Sequence, residues 1–181
     1  FASGIGGMTL ISTHTESSGS AATIDMNGVF TSSYDRYRIN IDQFNMASPT
    51  TLLMQLGTSG TVATGIYQFV GLGFRSDNTE IRGNTNSATA INLQAGTGSD
   101  YNSNSPAGIP TAFLEITNPY NAMYTNVMGQ CVWANAVDED AHINNIGANI
   151  KNTTSYTDVR FLCSSGNIQN STVIRIYGYN K

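Results

Sequence analysis

Apolar residues in this chain recur at every second position, and no segment sustains the 3.6-residue period of an amphipathic helix. From Arg36 to Phe44, Tyr37, Ile39 and Ile41 alternate with Arg36, Arg38, Asn40 and Asp42. From Thr111 to Thr117, Ala112, Leu114 and Ile116 oppose Thr111, Phe113, Glu115 and Thr117. From Thr172 to Tyr179, Ile174 and Ile176 oppose Val173, Arg175, Tyr177 and Tyr179. Successive side chains of a strand point to opposite faces, so Ile39, Ile41, Leu114, Ile116, Ile174 and Ile176 are expected to face inward.

Further strands are expected over Met8–Thr15, Ala22–Asn27, Thr51–Leu56, Ile66–Val70, Ala88–Ala95, Tyr124–Ala134, Ala141–Ile150 and Tyr156–Cys163. Clusters of Gly, Ser and Asn at Ser17–Ser20, Gly57–Gly60 and Ser164–Asn170 mark turns between them. Many short strands divided by turns are the signature of a sandwich or barrel. The expected fold is all-β, one jelly-roll-like antiparallel β-sandwich of about ten short strands over residues 8–181. Residues 1–7 read as the end of an upstream segment or linker. The long loop Gly96–Pro110, rich in Gly, Ser and Asn, is the kind that serves a function or moves.

Composition supports strands over helices. Of the 181 residues only 11% are charged, against roughly 25% in ordinary soluble domains. Asn, Ser and Thr replace the missing charge, and their short side chains bond to nearby backbone in competition with a helix. A net charge of −4 with eight scattered Lys and Arg argues against nucleic acid, which demands a basic stripe. No apolar run approaches the roughly 20 residues needed to span a bilayer as a helix. Cys131 and Cys163 sit in apolar stretches and are expected to be unpaired core thiols.

Catalytic chemistry finds little to work with, and the chain is not expected to be an enzyme. Neither His14 nor His142 accompanies a nucleophile motif, and both read as surface or strand-end polar residues. In the acidic run Asp138–Asp140, Asp138 and Asp140 are the candidate calcium ligands, with Asn144 and Asn145 just beyond. Consecutive residues of an extended chain point apart, however, which favours a solvated turn. No cysteine and histidine spacing fits zinc, and the glycines of Gly71-Leu72-Gly73 open no phosphate loop. No cofactor is implied. The sequons at Asn152 and Asn170 are expected by chance in so polar a chain.

Aromatic residues are the remaining candidates. Trp133, in the apolar stretch Cys131–Ala136, is expected in the core. Tyr101, Tyr120 and Tyr124, in or beside loops, are candidates for contact with a glycan. On the last strand, Val173, Tyr177 and Tyr179 share one face with Arg175 alone to solvate them, a pattern suited to a partner surface. Together with the scarcity of charge at strand edges, this points to a homo-oligomer.

Both ends of the chain carry phrases of a known kind. Leu10-Ile11-Ser12-Thr13 and Ser20 to Asp25 lead to Ser33-Tyr34-Asp35-Arg36-Tyr37. Arg160-Phe161-Leu162, Ser164-Ser165-Gly166-Asn167-Ile168 and Thr172 to Gly178 close the chain. This layout resembles a β-domain of virion-associated and tail-fibre-like structural proteins of marine bacteriophages, of the cyanophage type. Residues 46–109 lie outside the resemblance, and the family brings no catalytic residues. The resemblance implies a virion protein: a capsid decoration or cement protein, a head fibre or a tail fibre. Its partners would be other virion proteins and a host surface glycan, and its assembly a trimer. The alternative from another class is a carbohydrate-binding module of a secreted bacterial protein.

Overall fold

The computed structural model describes residues 7–47, 50–94, 110–134 and 140–181. Among them the chain is all-β, with no helix long and apolar enough to cross a membrane. Eight strands form one antiparallel sheet: β1 (Met8–Thr15), β3 (Arg36–Gln43), β6 (Tyr67–Arg75), β7 (Glu80–Ala88), β9 (Thr111–Thr117), β10 (Thr125–Ala134), β11 (Ala141–Ile150) and β13 (Val173–Tyr179). Their spatial order is β1-β13-β3-β9-β10-β11-β6-β7. The second sheet holds β2 (Thr23–Met26), β12 (Asp158–Cys163), β4 (Leu52–Thr58) and β5 (Thr61–Val62) in that order, with β8 (Ile91–Asn92) also paired to β4. The chain passes repeatedly from one sheet to the other, as expected of an antiparallel β-sandwich. The two sheets enclose one apolar core.

Alternation decides that core. Ile39, Ile41, Leu114, Ile116, Ile174 and Ile176 are all buried, on the faces their spacing assigned. They meet Ile24, Met54, Leu56, Val159 and Phe161 from the smaller sheet. Buried tyrosines tie the layers with their polar ends. Tyr67 of β6 accepts the Leu56 N–H at 2.7 Å and donates to the Ala63 carbonyl at 3.1 Å, so its ring packs while its hydroxyl stays bonded. Asp158 clamps the end of the smaller sheet, accepting the N–H groups of Gly28 (2.9 Å) and Gly60 (2.7 Å). Burial pushes its pKa up, but those two N–H groups and the Thr157 hydroxyl outweigh it, leaving the carboxyl below its ordinary range. Gly60 lies in the two-residue turn between β4 and β5. There Ser59 and Gly60 both have positive φ (53° and 80°), which matches the twist of a tight hairpin.

Four expectations change. Thirteen strands are present among the described residues, because β7 lacks any apolar alternation to betray it and β5 and β8 are two-residue pairs. The strand expected over Ala88–Ala95 is only Ile91–Asn92, while Ala88 ends β7. Strand β6 runs on to Arg75, five residues past Val70. His142 lies at the start of β11, a strand end as expected, but it is not on the surface: it is buried and stacks on Trp133 with ring centroids 5.1 Å apart. Trp133 lies in the core as expected, and Cys131 and Cys163 are buried and unpaired in different sheets. Burial pushes the Cys163 thiol up to about 12 and the Cys131 thiol further, so neither is a ready thiolate.

Candidate functional site

The inward faces of both sheets are consumed by the core. The outward face of the eight-stranded sheet is the widest surface left, and its register can be followed strand by strand. One row runs Leu10, Tyr177, Arg38, Glu115, Met128, Gly147, Val70 and Asn84. The row beside it runs Arg175, Asn40, Phe113, Gln130, Asn145, Leu72 and Arg82. A shorter row joins Thr111, Val132, Ile143 and Phe74.

The half of this face built by β3, β9 and β13 carries charge that is paired internally. Glu115 is nearly buried, at 7% exposure. It accepts Arg36 Nε at 2.9 Å, Arg38 Nη1 at 3.4 Å and the Tyr179 hydroxyl at 2.6 Å. The Arg36 guanidinium also lies over the Tyr179 ring (4.8 Å) and that of Arg38 over Phe113 (4.9 Å), both in cation–π range. Burial, and then the bond to the Glu115 carboxylate, push the Tyr179 hydroxyl above its ordinary pKa. Arg175 pairs with Asp42. Of the residues expected to form a partner surface, Arg175, Tyr177 and Tyr179 therefore do share one half-buried face.

The half built by β10, β11 and β6 is apolar and open. Val70, Leu72, Phe74, Met128, Val132 and Ile143 are 36% to 62% exposed in neighbouring register positions. Hydrophobicity alone assigns such residues to a core, so inspection of the sequence misses them. The available signal is Gly71-Leu72-Gly73. With glycines on the inward positions of β6, the large residues between them must point out. A Cβ on Gly73 would run into the Ile143 carbonyl oxygen, so only glycine fits there.

The other candidates do not join this face. Tyr120 and Tyr124 are exposed in the turn between β9 and β10, beyond the Thr117–Asn126 pair that ends that ladder. Tyr101 and Asp138 lie outside the described residues. Asp140 is engaged by Arg75 (2.7 Å) and the Ser76 hydroxyl (2.6 Å), which hold its carboxyl below the ordinary range. Among the described residues no three His, Cys, Asp or Glu side chains come together as a metal site. His14 lies 3.4 Å from Glu16, whose carboxylate is held mainly by Ser18.

Two grooves open on the outward face. One, of 350 Å³, lies among Arg38, Asn40, Asp42, Phe113, Gln130 and Val132. The other, of 460 Å³, lies among Gln68, Val70, Asn84, Asn86, Gly147 and Asn149.

No protein-family model and no curated protein matches the chain. Among solved structures it shows slight likeness to a protein of unknown function from Bacteroides ovatus, at 6% identity and a TM-score of 0.28. That match covers 61% of this chain, which spans 45% of the other. A green fluorescent protein of Branchiostoma lanceolatum follows at 10% identity and TM-score 0.26, covering 90% of this chain and 97% of that one. Porphyranase B of Zobellia galactanivorans stands at 5% identity and TM-score 0.24, with 96% and 76% covered. Likenesses this slight are no guide to fold or activity, and the functional reading rests on the chain's own surface.

Proposed function

We propose that this chain is a structural domain of a virus particle, acting by contact and not by chemistry, and that it assembles with copies of itself through the outward face of its eight-stranded sheet. The observation that carries this reading is the open apolar half of that face. Six large apolar side chains share that half with Gly147, Gln130 and Asn145, and no charged residue stands among them. Patches of this kind on a folded domain are association surfaces, since leaving them in water forgoes roughly 25 cal/mol per Å². The face is also broad enough. Eight strands of seven to ten residues, spaced about 4.8 Å apart, present on the order of 1,000 Å², above the roughly 800 Å² each partner contributes to a standard interface. The sequence resemblance supplies the setting, and with it the expected trimer.

Light scattering at micromolar concentration tests the assembly. The chain is expected at three times the 19.3 kDa monomer mass. Leu72→Lys combined with Met128→Lys is expected to return it to the monomer without lowering its unfolding midpoint, because both side chains are exposed. A wild-type monomer, together with the absence of the chain's peptides from purified particles of its source, overturns the reading.

A further inference from the structure

We propose that the 460 Å³ groove between β7, β6 and β11 is a binding site for a neutral oligosaccharide of hexose units. The groove lies at the β7 edge of the same outward face and shares Val70 with its apolar half, so a bound sugar and a partner copy compete for that edge. Its first ground is the shape of the groove floor. In the row Asn84, Val70, Gly147, Met128, the glycine leaves a dip between two apolar side chains. Space is not the reason for that glycine: a Cβ there would meet only Val70 Cγ1, at an ordinary 3.7 Å.

The second ground is the chemistry of the wall. Asn86, Gln68, Asn149 and Asn126 follow one another across β7, β6, β11 and β10 as a ladder of side-chain amides. Gln68 Nε2 donates to Asn86 Oδ1 (3.4 Å) and Asn149 Nδ2 to Asn126 Oδ1 (2.8 Å). Each pair uses one end of each amide. Gln68 Oε1 and Asn149 Oδ1 remain as acceptors and Asn86 Nδ2 as a donor, and Asn84 adds a further amide on the opposite side. A row of unused donors and acceptors without charge is what the hydroxyl groups of a sugar require, and the Val70 side chain offers an apolar contact to its C–H face. All residues that line the groove are uncharged. The cation beside it, Lys151, has its ammonium bonded to the Asn86 carbonyl, so an acidic ligand would have to break that bond to use it.

The neighbouring 350 Å³ groove differs, because charged Arg38 and Asp42 line it and are held in ion pairs and contacts of their own. Arg38 Nε donates to Asn40 at 3.0 Å, Arg38 pairs with Glu115 and covers Phe113, and Asp42 pairs with Arg175.

Hexasaccharides of glucose, mannose and galactose, each titrated separately into the isotope-labelled chain, test the site by nuclear magnetic resonance. At least one is expected to shift the side-chain amide signals of Gln68, Asn84, Asn86 and Asn149 in a saturable way. Asn84→Ala combined with Asn86→Ala is expected to weaken that binding about tenfold, through the loss of one to two hydrogen bonds. Gly147→Ala, whose added Cβ enters the dip at an ordinary contact distance from Val70, is expected to weaken it severalfold. Both variants should melt like the parent, since these positions are exposed or on the outward face. Shifts confined to other residues, shifts only with a sulfated control such as heparin hexasaccharide, or no shifts with the whole panel would each overturn the proposal. The mass of the assembly, read by light scattering in the same samples, keeps failure of this site distinct from failure of the assembly.

Discussion

The outward face of the eight-stranded sheet is two surfaces joined along the β9–β10 ladder, and the contrast between them explains where this molecule is finished and where it is not. On one side of the seam Glu115 gathers Arg36, Arg38 and Tyr179 into a network that is complete within the chain. On the other side its register partner Met128 stands 62% exposed beside Gly147 and Val70. Residues directly opposite each other across one pair of strands thus have opposite fates. An ion network needs no partner to be stable in water, whereas a bare apolar row gains only when something covers it. Charge at an edge or face also deters association; the outward positions of β6, β10 and β11 carry none, while Glu115 and Arg82 bound them on either side.

The largest expected effect comes from the backbone of the open half. Gly73→Ala places a methyl against the Ile143 carbonyl in the β6–β11 ladder, where the neighbour is backbone and cannot swing away. Urea unfolding is expected to show a loss of about 3 kcal/mol, the cost of overpacking a rigid site. A loss below about 0.5 kcal/mol would mean that the ladder gives way easily. The inward glycines would then not be what forces Leu72 and Phe74 outward.

That same strand shows how far the sequence was legible. Where large apolar residues face the core, alternation names them correctly, as with Ile39 on β3, Leu114 and Ile116 on β9, and Ile174 on β13. In β6 the rule inverts, since Val70, Leu72 and Phe74 alternate just as cleanly but point to solvent. Period two reports that two faces differ and leaves open which one is buried. Strand β7 was illegible for another reason. Glu80–Ala88 alternates only between exposed and half-buried positions, with Ile81 its one large apolar residue, so no apolar alternation marks it and its backbone pairing to β6 defines it. Alternation did show that Arg175, Tyr177 and Tyr179 share one face of β13, which is half-buried. The acceptor that Tyr179 finds within the chain, Glu115, lies 64 residues away and left no local signal.

A middle-sized effect sharpens the seam itself. Glu115→Ala removes the acceptor shared by two guanidinium groups and the Tyr179 hydroxyl, and is expected to cost about 2 kcal/mol, as for hydrogen bonds to a charged group. Met128→Ala, directly across the ladder, is expected to cost under about 0.5 kcal/mol in the isolated chain, because its side chain is already in water. Equal losses in urea unfolding would erase the distinction between the two halves.

The smallest effect separates the halves by pH. Tyr179 holds its proton more tightly in the folded chain than a free tyrosine does, because burial and the Glu115 carboxylate both oppose the phenolate. Its contribution is therefore complete below the unfolded pKa of about 10 and is lost as pH rises through the higher folded value. In that window the folded chain binds more protons than the unfolded one, so stability falls with rising pH. Tyr179→Phe keeps the ring under Arg36 and removes the ionisable hydroxyl. It is expected to cost about 1 kcal/mol at neutral pH, the worth of one hydrogen bond. That deficit should stay constant up to about pH 9 and shrink above about pH 10. Tyr37, Tyr67 and Tyr156 are raised by burial too, but they titrate alike in both proteins and cancel in the difference. The matching measurement on Met128→Ala should show no such change with pH, because the side chain it removes does not ionise. Parallel curves for Tyr179→Phe and its parent across that range would mean that Tyr179 does not belong to the Glu115 network in solution, and the closed half would lose its outermost member.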